Sequence, residues 1–286
     1  MKISEFFNKK KTVFSFEVFP PKKNSPVETI YNTLDSLKEL SPDFISVTYG
    51  AGGSSADNIT AKIAGYIKND LGIESVAHLT CLNNTKKDVL DILSEFKKNN
   101  IENILALRGD RNPDIEPAKD FEYASDMVTF IHENGDFHVS GACYPECHME
   151  SASLVDDVIN LRKKVDSGVT HLMSQLFFDN SYFYDFLEKA KIAGINIPIE
   201  AGIMPVVNKS QIERMVSMCG ASLPPKFVKM MQKYESNPEA LRDAGIAYAI
   251  DQIVDLISNG VDGIHLYTMN NPYIAKKISE GVSSLL

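Results

Sequence analysis

Short runs of β-branched and aromatic residues recur along this chain at intervals of about 30 residues, with longer amphipathic segments between them. The runs are VFSFEVF (13–19), FISVTYG (44–50), SVAHLTC (75–81), NILALRG (103–109), HVSGACY (138–144), HLMSQLFF (171–178), IPIEAGIM (197–204) and GIHLYT (263–268). Among the intervening segments, DVLDILSEFKKNN (88–100) places Val89, Leu90, Ile92, Leu93 and Phe96 on one helical stripe. Strand and helix alternate with no hairpin signal, so the strands are expected to run parallel, because parallel neighbours need a crossover and the helices supply it. An open doubly wound sheet and a closed (β/α)8 TIM barrel both satisfy this pattern. The even spacing and the length of 286 residues favour the barrel, whose usual size is ~250 residues. No linker-like stretch interrupts the chain, so residues 1–286 are read as one barrel domain. The interval 209–262 is longer than one unit needs. It predicts extra helices, PKFVKMMQKY and LRDAGIAYAIDQIVDLISNG, before the last strand.

Charge and composition exclude several functions. The formal net charge of -9 and a pI near 5.2 oppose attraction to nucleic acid or anionic lipid, both of which need clustered cations. The run Lys9-Lys10-Lys11 reads as a solvated segment. No stretch approaches the ~20 apolar residues that span a bilayer. No apolar leader followed by small residues opens the chain, and a cytoplasmic protein is expected. Cys81, Cys143, Cys147 and Cys219 are too few for a disulfide scaffold. Cys143, Cys147 and His148 in CYPECH lack the second ligand pair of a closed zinc site, so no metal is expected.

In a barrel the chemistry gathers at the C-terminal ends of the strands. Polar residues at those ends are Glu17, Thr48, His78, Arg108 with Asp110, Tyr144 and Gln175. Each alone has a plain explanation, such as a satisfied core histidine or an Arg108–Asp110 ion pair. Together they suggest a binding cavity, since polar groups converging in an apolar space are costly unless they bind something. With a side-chain period of two, Glu17 shares a face with Val13, Ser15 and Phe19, among large apolar neighbours. Desolvation disfavours the charged form there, so Glu17 is expected to hold a proton and deliver it as a general acid. Asp110, beside Arg108 and Gly109, is expected to stay ionised and to stabilise positive charge in a bound molecule. The loop GAGGSS (50–55) suits either a phosphate cradle or a plain turn. Arg162, Lys163 and Lys164 either complement a helix C-terminus or contact phosphate.

The motifs FSFEVFPPK, FISVTYGAGGS, AHLTC, ALRGD, YASDMV, ACYPECH, QLFFD, GIMPV and HLYTMN, in this order, closely resemble those of the bacterial methylenetetrahydrofolate reductases, which are FAD-dependent (β/α)8 barrels. The match runs from Val13 to Asn270. The resemblance implies that reduced, non-covalently bound FAD passes hydride to 5,10-methylenetetrahydrofolate in one-carbon metabolism. NADH or NADPH would first reduce the flavin, in a ping-pong cycle. It makes Glu17 the acid that opens the folate ring to an iminium and Asp110 the residue between flavin and pterin. It places Thr48, Tyr49, Ala51, His78, Arg108, Gly109, Asp110, Ala124, Tyr144, His148, Asp157, Asn160 and Lys164 at FAD, with Gln175 and Gln211 at nucleotide or folate.

Three departures stand out: Met215 where the family often has an aromatic, Asn271 where it often has arginine, and Cys147 in a usually apolar place. The first two admit a redox partner protein as electron donor. A barrel that binds folate or flavin without turnover is a further reading. A Schiff-base aldolase would need a lysine at a strand end, and none of the strand-end positions named above has one. A homo-oligomer is expected, although burial of the Met- and Phe-rich insert within its own chain is the safer reading of that segment.

Overall fold

The structure, a computed structural model, describes residues 1–21, 26–49, 59–111, 116–208, 212, 215–217 and 219–286. The strands are β1 (Val13–Val18), β2 (Phe44–Val47), β3 (Glu74–Thr80), β4 (Asn103–Leu107), β5 (His138–Cys143), β6 (His171–Ser174), β7 (Ile199–Ile203) and β8 (Gly263–Tyr267). They pair in chain order, all parallel, and β8 returns to β1 with Val13 opposite Gly263 and Glu17 opposite Tyr267. The sheet is therefore a closed (β/α)8 barrel and not the open alternative. The helices are α1 (Ser4–Lys9), α2 (Glu28–Lys38), α3 (Ile59–Asn69), α4 (Lys86–Lys98), α5 (Ala124–Asn134), α6 (Leu154–Asp166), α7 (Asn180–Ile192), α8 (Pro225–Tyr234), α9 (Pro238–Ser258) and α10 (Pro272–Val282). Both insert helices are present, as α8 and α9.

Alternation along each strand divides the core into layers. On β1 the outward residues Phe14, Phe16 and Val18 join the large apolar layer between sheet and helices. The inward residue Val13 clusters with Ile3, Phe44 and Val76 toward the lower end of the barrel, and Leu105 and Met173 of the same cluster reach up to the cavity described below. Ile3, just before α1, is fully buried there, and its N–H donates to Asn103 Oδ1 at 2.9 Å. The N-terminal segment thus closes the end of the barrel opposite the loops that follow the strands.

Helix α4 shows how local signals set an element. Thr85 and Asp88 form a reciprocal capping box at its start. Val89, Ile92, Leu93 and Phe96 are buried at the i, i+3, i+4, i+7 spacing, whereas Leu90 is 42% exposed and lies off the stripe expected to include it. One residue of offset turns a side chain by about 100°.

The apolar runs overshoot the strands at their C-terminal ends. β6 stops at Ser174, yet Leu176, Phe177 and Phe178 beyond it are buried. The Phe178 carbonyl accepts from Tyr248 Oη at 2.6 Å and the Phe177 carbonyl from Gln252 Nε2 at 3.3 Å. Side chains of α9 thus take over the backbone bonding that a neighbouring strand would have given. Leu176 and Phe178 pack with Met204, Val206, Ile212, Phe227, Met231 and Leu241 in a second apolar cluster under the insert. The Met- and Phe-rich face of α8 is buried within its own chain. No described helix is long and apolar enough to cross a membrane.

Candidate active site

The ends of the strands open into a cavity of about 890 Å³, within the usual range for small-molecule sites. Glu17, Thr48, Tyr49, His78, Arg108, Gly109, Asp110, Tyr144, His148 and Gln175 all line it. Its apolar wall includes Leu105, Leu107, Met173, Met204 and Met215. The strand-end residues singled out by position in the sequence therefore do share one space.

Glu17, the fifth residue of β1, points into the cavity with 19% of its side chain exposed. Two imidazoles flank it, His78 Nε2 and His265 Nε2 each 3.6 Å from its Oε2. The immediate neighbours of the carboxyl are thus polar rings rather than apolar walls alone. Burial pulls the pKa of His78 down from 6.5 to about 4, against the opposing attraction of Glu17, so the ring is neutral at pH 7. Its Nε2 has no hydrogen-bond partner among the described residues. Tyr267 donates to the Ser174 carbonyl at 2.8 Å, and burial, reinforced by Glu17, raises its pKa well above the usual phenol value.

At the end of β4, Arg108 forms a two-pronged pair with Glu150, at 2.6 and 2.7 Å. The cation's partner is Glu150 and not Asp110 as in the plain ion-pair reading of LRGD. Pairing raises the pKa of Arg108 and lowers that of Glu150. Between Arg108 and Asp110, Gly109 has φ +86°, and a Cβ there would lie 3.2 Å from Thr80 Cβ. The left-handed turn and the contact with β3 both favour glycine.

On the β5 side, the Tyr144 and His148 rings meet edge to face at 4.6 Å. Burial, with Asp110 next in order, pushes the Tyr144 pKa up to about 12. Asp157, in the first turn of α6, accepts from the His148 N–H at 3.3 Å and from Ser151 Oγ at 2.9 Å, which fixes the loop carrying His148. Cys147 has φ +83°, so the departure at this position sits in a left-handed turn. Gln175 is anchored through its N–H to the Cys143 carbonyl at 2.7 Å. Among the described residues no cluster of His, Cys, Asp and Glu could hold a metal ion.

Other predicted residues stand apart from the cavity lining. Ala124 begins α5 and is buried. Asn160 is exposed on α6 and accepts from Lys163. Lys164 donates to the Ala142 carbonyl at 2.8 Å, and burial lowers its pKa against the pull of Cys143 and Asp157. Ala51, Gln211 and the loop GAGGSS lie outside the described residues. Met215 lines the cavity, so that departure lies on its wall. Asn271 caps α10 by accepting from the Ile274 N–H at 3.3 Å, a role arginine cannot fill.

Sequence reasoning missed His265, Tyr267 and Glu200. A charged or imidazole side chain inside an apolar run was the signal that exposed Glu17, and it is equally present in IPIEAGIM and GIHLYT. A search confined to strand ends passed over Glu200 and His265, which lie inside their strands, while Tyr267 ends β8 and carried no charge to mark it.

The profile of a family described as methylenetetrahydrofolate reductase matches residues 2–283. The chain is 37% identical over 256 residues to the 5,10-methylenetetrahydrofolate reductase of Escherichia coli, covering 90% of this chain and 86% of the relative. It is 35% identical over 264 residues to that of Pectobacterium carotovorum, covering 92% and 88%. A protein named methylenetetrahydrofolate reductase (NADH) 1 from Arabidopsis thaliana is 34% identical over 284 residues, covering 94% of this chain and 48% of the relative. A solved structure of a Clostridium thermocellum protein, described as binding two copies of 5-methyl-5,6,7,8-tetrahydrofolic acid, superposes with TM-score 0.70 over 98% of this chain and 99% of that one. At 15% identity it shows the shared fold alone.

Proposed function

Because the chain belongs to the methylenetetrahydrofolate reductase family, oxidoreductases that reduce methylenetetrahydrofolate to methyltetrahydrofolate, we propose that it catalyses this reduction with FAD as hydride carrier. The observation that supports this most is Glu17 held between two imidazoles in the wall of a cavity lined by the residues expected around the flavin. The residues fit the cofactor. The cavity has the volume, an apolar wall for a flat ring and, in His78 Nε2, an unpaired buried polar atom.

Thr48, Tyr49, His78, Arg108, Gly109, Asp110, Tyr144 and His148 would meet the cofactor from the cavity, and Ala124, Asp157, Asn160 and Lys164 from α5 and α6. Ala51 is assigned with them by motif alone. Gln175 and Gln211 would hold nucleotide or folate. The chemistry that FAD would supply there is hydride transfer between NADH or NADPH and the folate, in a ping-pong cycle, and the Arabidopsis relative's name specifies NADH.

Glu17 supplies the proton. It protonates the departing ring nitrogen of 5,10-methylenetetrahydrofolate as the carbon–nitrogen bond breaks, leaving an iminium on the other nitrogen. Asp110 lowers the energy of that cation by its charge. His78, neutral through burial, adds no repulsion against it. Proton delivery and cation stabilisation thus come from two carboxyls, one on β1 and one in the loop that follows β4. We place this chemistry in one barrel domain, in the cytoplasm, with a homo-oligomer as its assembly.

The purified protein should carry a yellow chromophore with the two visible-range bands of oxidised flavin. Stopped-flow mixing with NADH or NADPH should bleach it, and methylenetetrahydrofolate should restore it. Initial-rate plots should give parallel lines, and intersecting lines would remove the ping-pong cycle. A second reading follows from Met215, which leaves the cavity wall without the usual aromatic. If neither nucleotide bleaches the flavin but a low-potential redox protein does, the donor is a protein. Absence of flavin from protein refolded with FAD would overturn both readings.

A further inference from the structure

Deeper in the barrel than Glu17 runs a file of polar side chains that the proposed reduction leaves without a role. Glu200, on β7, is fully buried. Its Oε1 accepts from the Ser15 hydroxyl at 2.8 Å, and its Oε2 stands 2.9 Å from His171 Nε2. Ser15 Oγ is also 2.6 Å from His265 Nδ1, and the Nε2 of that ring is 3.6 Å from Glu17 Oε2. Ser140 Oγ, 3.0 Å from His171 Nδ1, ends the file. Gly263 makes room for it, since a Cβ there would lie 2.6 Å from Glu200 Cγ.

A hydroxyl has one hydrogen to give. Ser15 gives it to Glu200, because a carboxylate has no hydrogen of its own to give and the 2.8 Å contact must therefore be donated by the hydroxyl, which leaves none for His265 Nδ1 at 2.6 Å or the Ile264 carbonyl at 3.5 Å. The short contact between Ser15 and His265 must then be donated by Nδ1. A neutral imidazole with its hydrogen on Nδ1 has a bare Nε2, and that nitrogen faces Glu17. Ser46 Oγ, 3.4 Å from the same nitrogen, can donate to it, while Glu17 at 3.6 Å lies beyond hydrogen-bond length and feels the lone pair through its field.

We infer that Glu200, acting through Ser15, fixes the tautomer of His265 so that a bare nitrogen lone pair, and not an N–H, stands beside Glu17 and favours the protonated carboxyl. Glu200, Ser15 and His265 are positioning residues for the general acid, and the inference rests on the reading of Glu17 given above. The other groups facing Glu17 are His78 from β3 and Tyr267 from β8. Burial keeps both uncharged at neutral pH, so neither adds a charge beside Glu17. Glu200 faces His171 from β6, with the His138 ring of β5 6.4 Å beyond it.

The test is the tautomer itself, read by NMR of the purified protein labelled with ¹⁵N-histidine, the His265 signals being assigned by their loss in His265→Gln. Wild-type protein should show Nδ1–H. In Glu200→Gln the new amide can donate to Ser15, whose hydrogen then turns to Nδ1, so the tautomer should switch to Nε2–H and favour the charged form of Glu17. Turnover measured against pH should then lose its alkaline limb about one pH unit earlier. Ser15→Ala, which breaks the link without altering charge, should abolish the Nδ1–H preference and move the limb the same way, and it decides the matter if Glu200→Gln does not fold. Nε2–H in wild-type protein, or no change of tautomer and limb in the variants, would overturn the inference. A switching tautomer in a protein with no reductase activity would instead remove the general-acid reading.

Discussion

Glu17 is the residue on which the proposed reaction turns, a carboxyl set between two imidazoles in the cavity wall. Its removal should show in the chemistry before it shows in binding. Glu17→Gln is expected to lower kcat by about 10² to 10⁴ while the flavin spectrum is retained; unchanged turnover would remove Glu17 as the acid, and a wild-type protein that binds flavin or folate without turnover would make the barrel a binding protein. His78 carries a second prediction. Its pKa is 6.5 before folding and about 4 after, so as pH falls the unfolded chain binds the proton first. The stability contribution is complete above pH 6.5 and is lost as pH falls toward 4, a loss on the order of 3 kcal/mol. Urea midpoints measured across that window should fall less steeply for His78→Gln than for wild type. Single residues at strand ends were readable because order and parity locate them. The parity that exposes Glu17 also marks Glu200 and His265, but whether an inward residue meets a ligand or another side chain depends on what lies across the barrel.

Elements were legible where the signal is local. The capping box at α4 needs only Thr85, Asp88 and the apolar stripe that follows, and both stand in the sequence. Thr85→Ala should cost about 1 kcal/mol in chemical denaturation without changing turnover. Strand ends were less legible. Hydrophobicity continues past Ser174 because Leu176 and Phe178 pack beneath α8 and α9, a contact formed by residues far along the chain. Gly109 belongs to this scale as well, since it turns the chain at the end of β4. Gly109→Ala, forced to φ +86° and toward Thr80, should cost about 1–3 kcal/mol and weaken flavin retention, both measurable by flavin release during a thermal ramp.

Across the whole molecule the barrel separates stability from chemistry. Ile3 seals the lower end against Val13, Phe44 and Val76, while the cavity opens at the other. Ile3→Ala should therefore cost about 2–5 kcal/mol of stability, seen as a lowered denaturation midpoint, with kcat and KM near wild type. By itself the sequence determined the alternation of strand and helix, their parallel pairing, the two inserted helices and the candidate residues at strand ends, because period, spacing and order are properties of the linear chain. Only the tertiary structure decided that Arg108 pairs with Glu150, that Met215 reaches the cavity, and that Glu200, Ser15 and His265 stand in file beneath Glu17. The longest of those contacts, Ser15 to His265, joins residues 250 positions apart, and closure of β8 onto β1 brings the pair within hydrogen-bond distance.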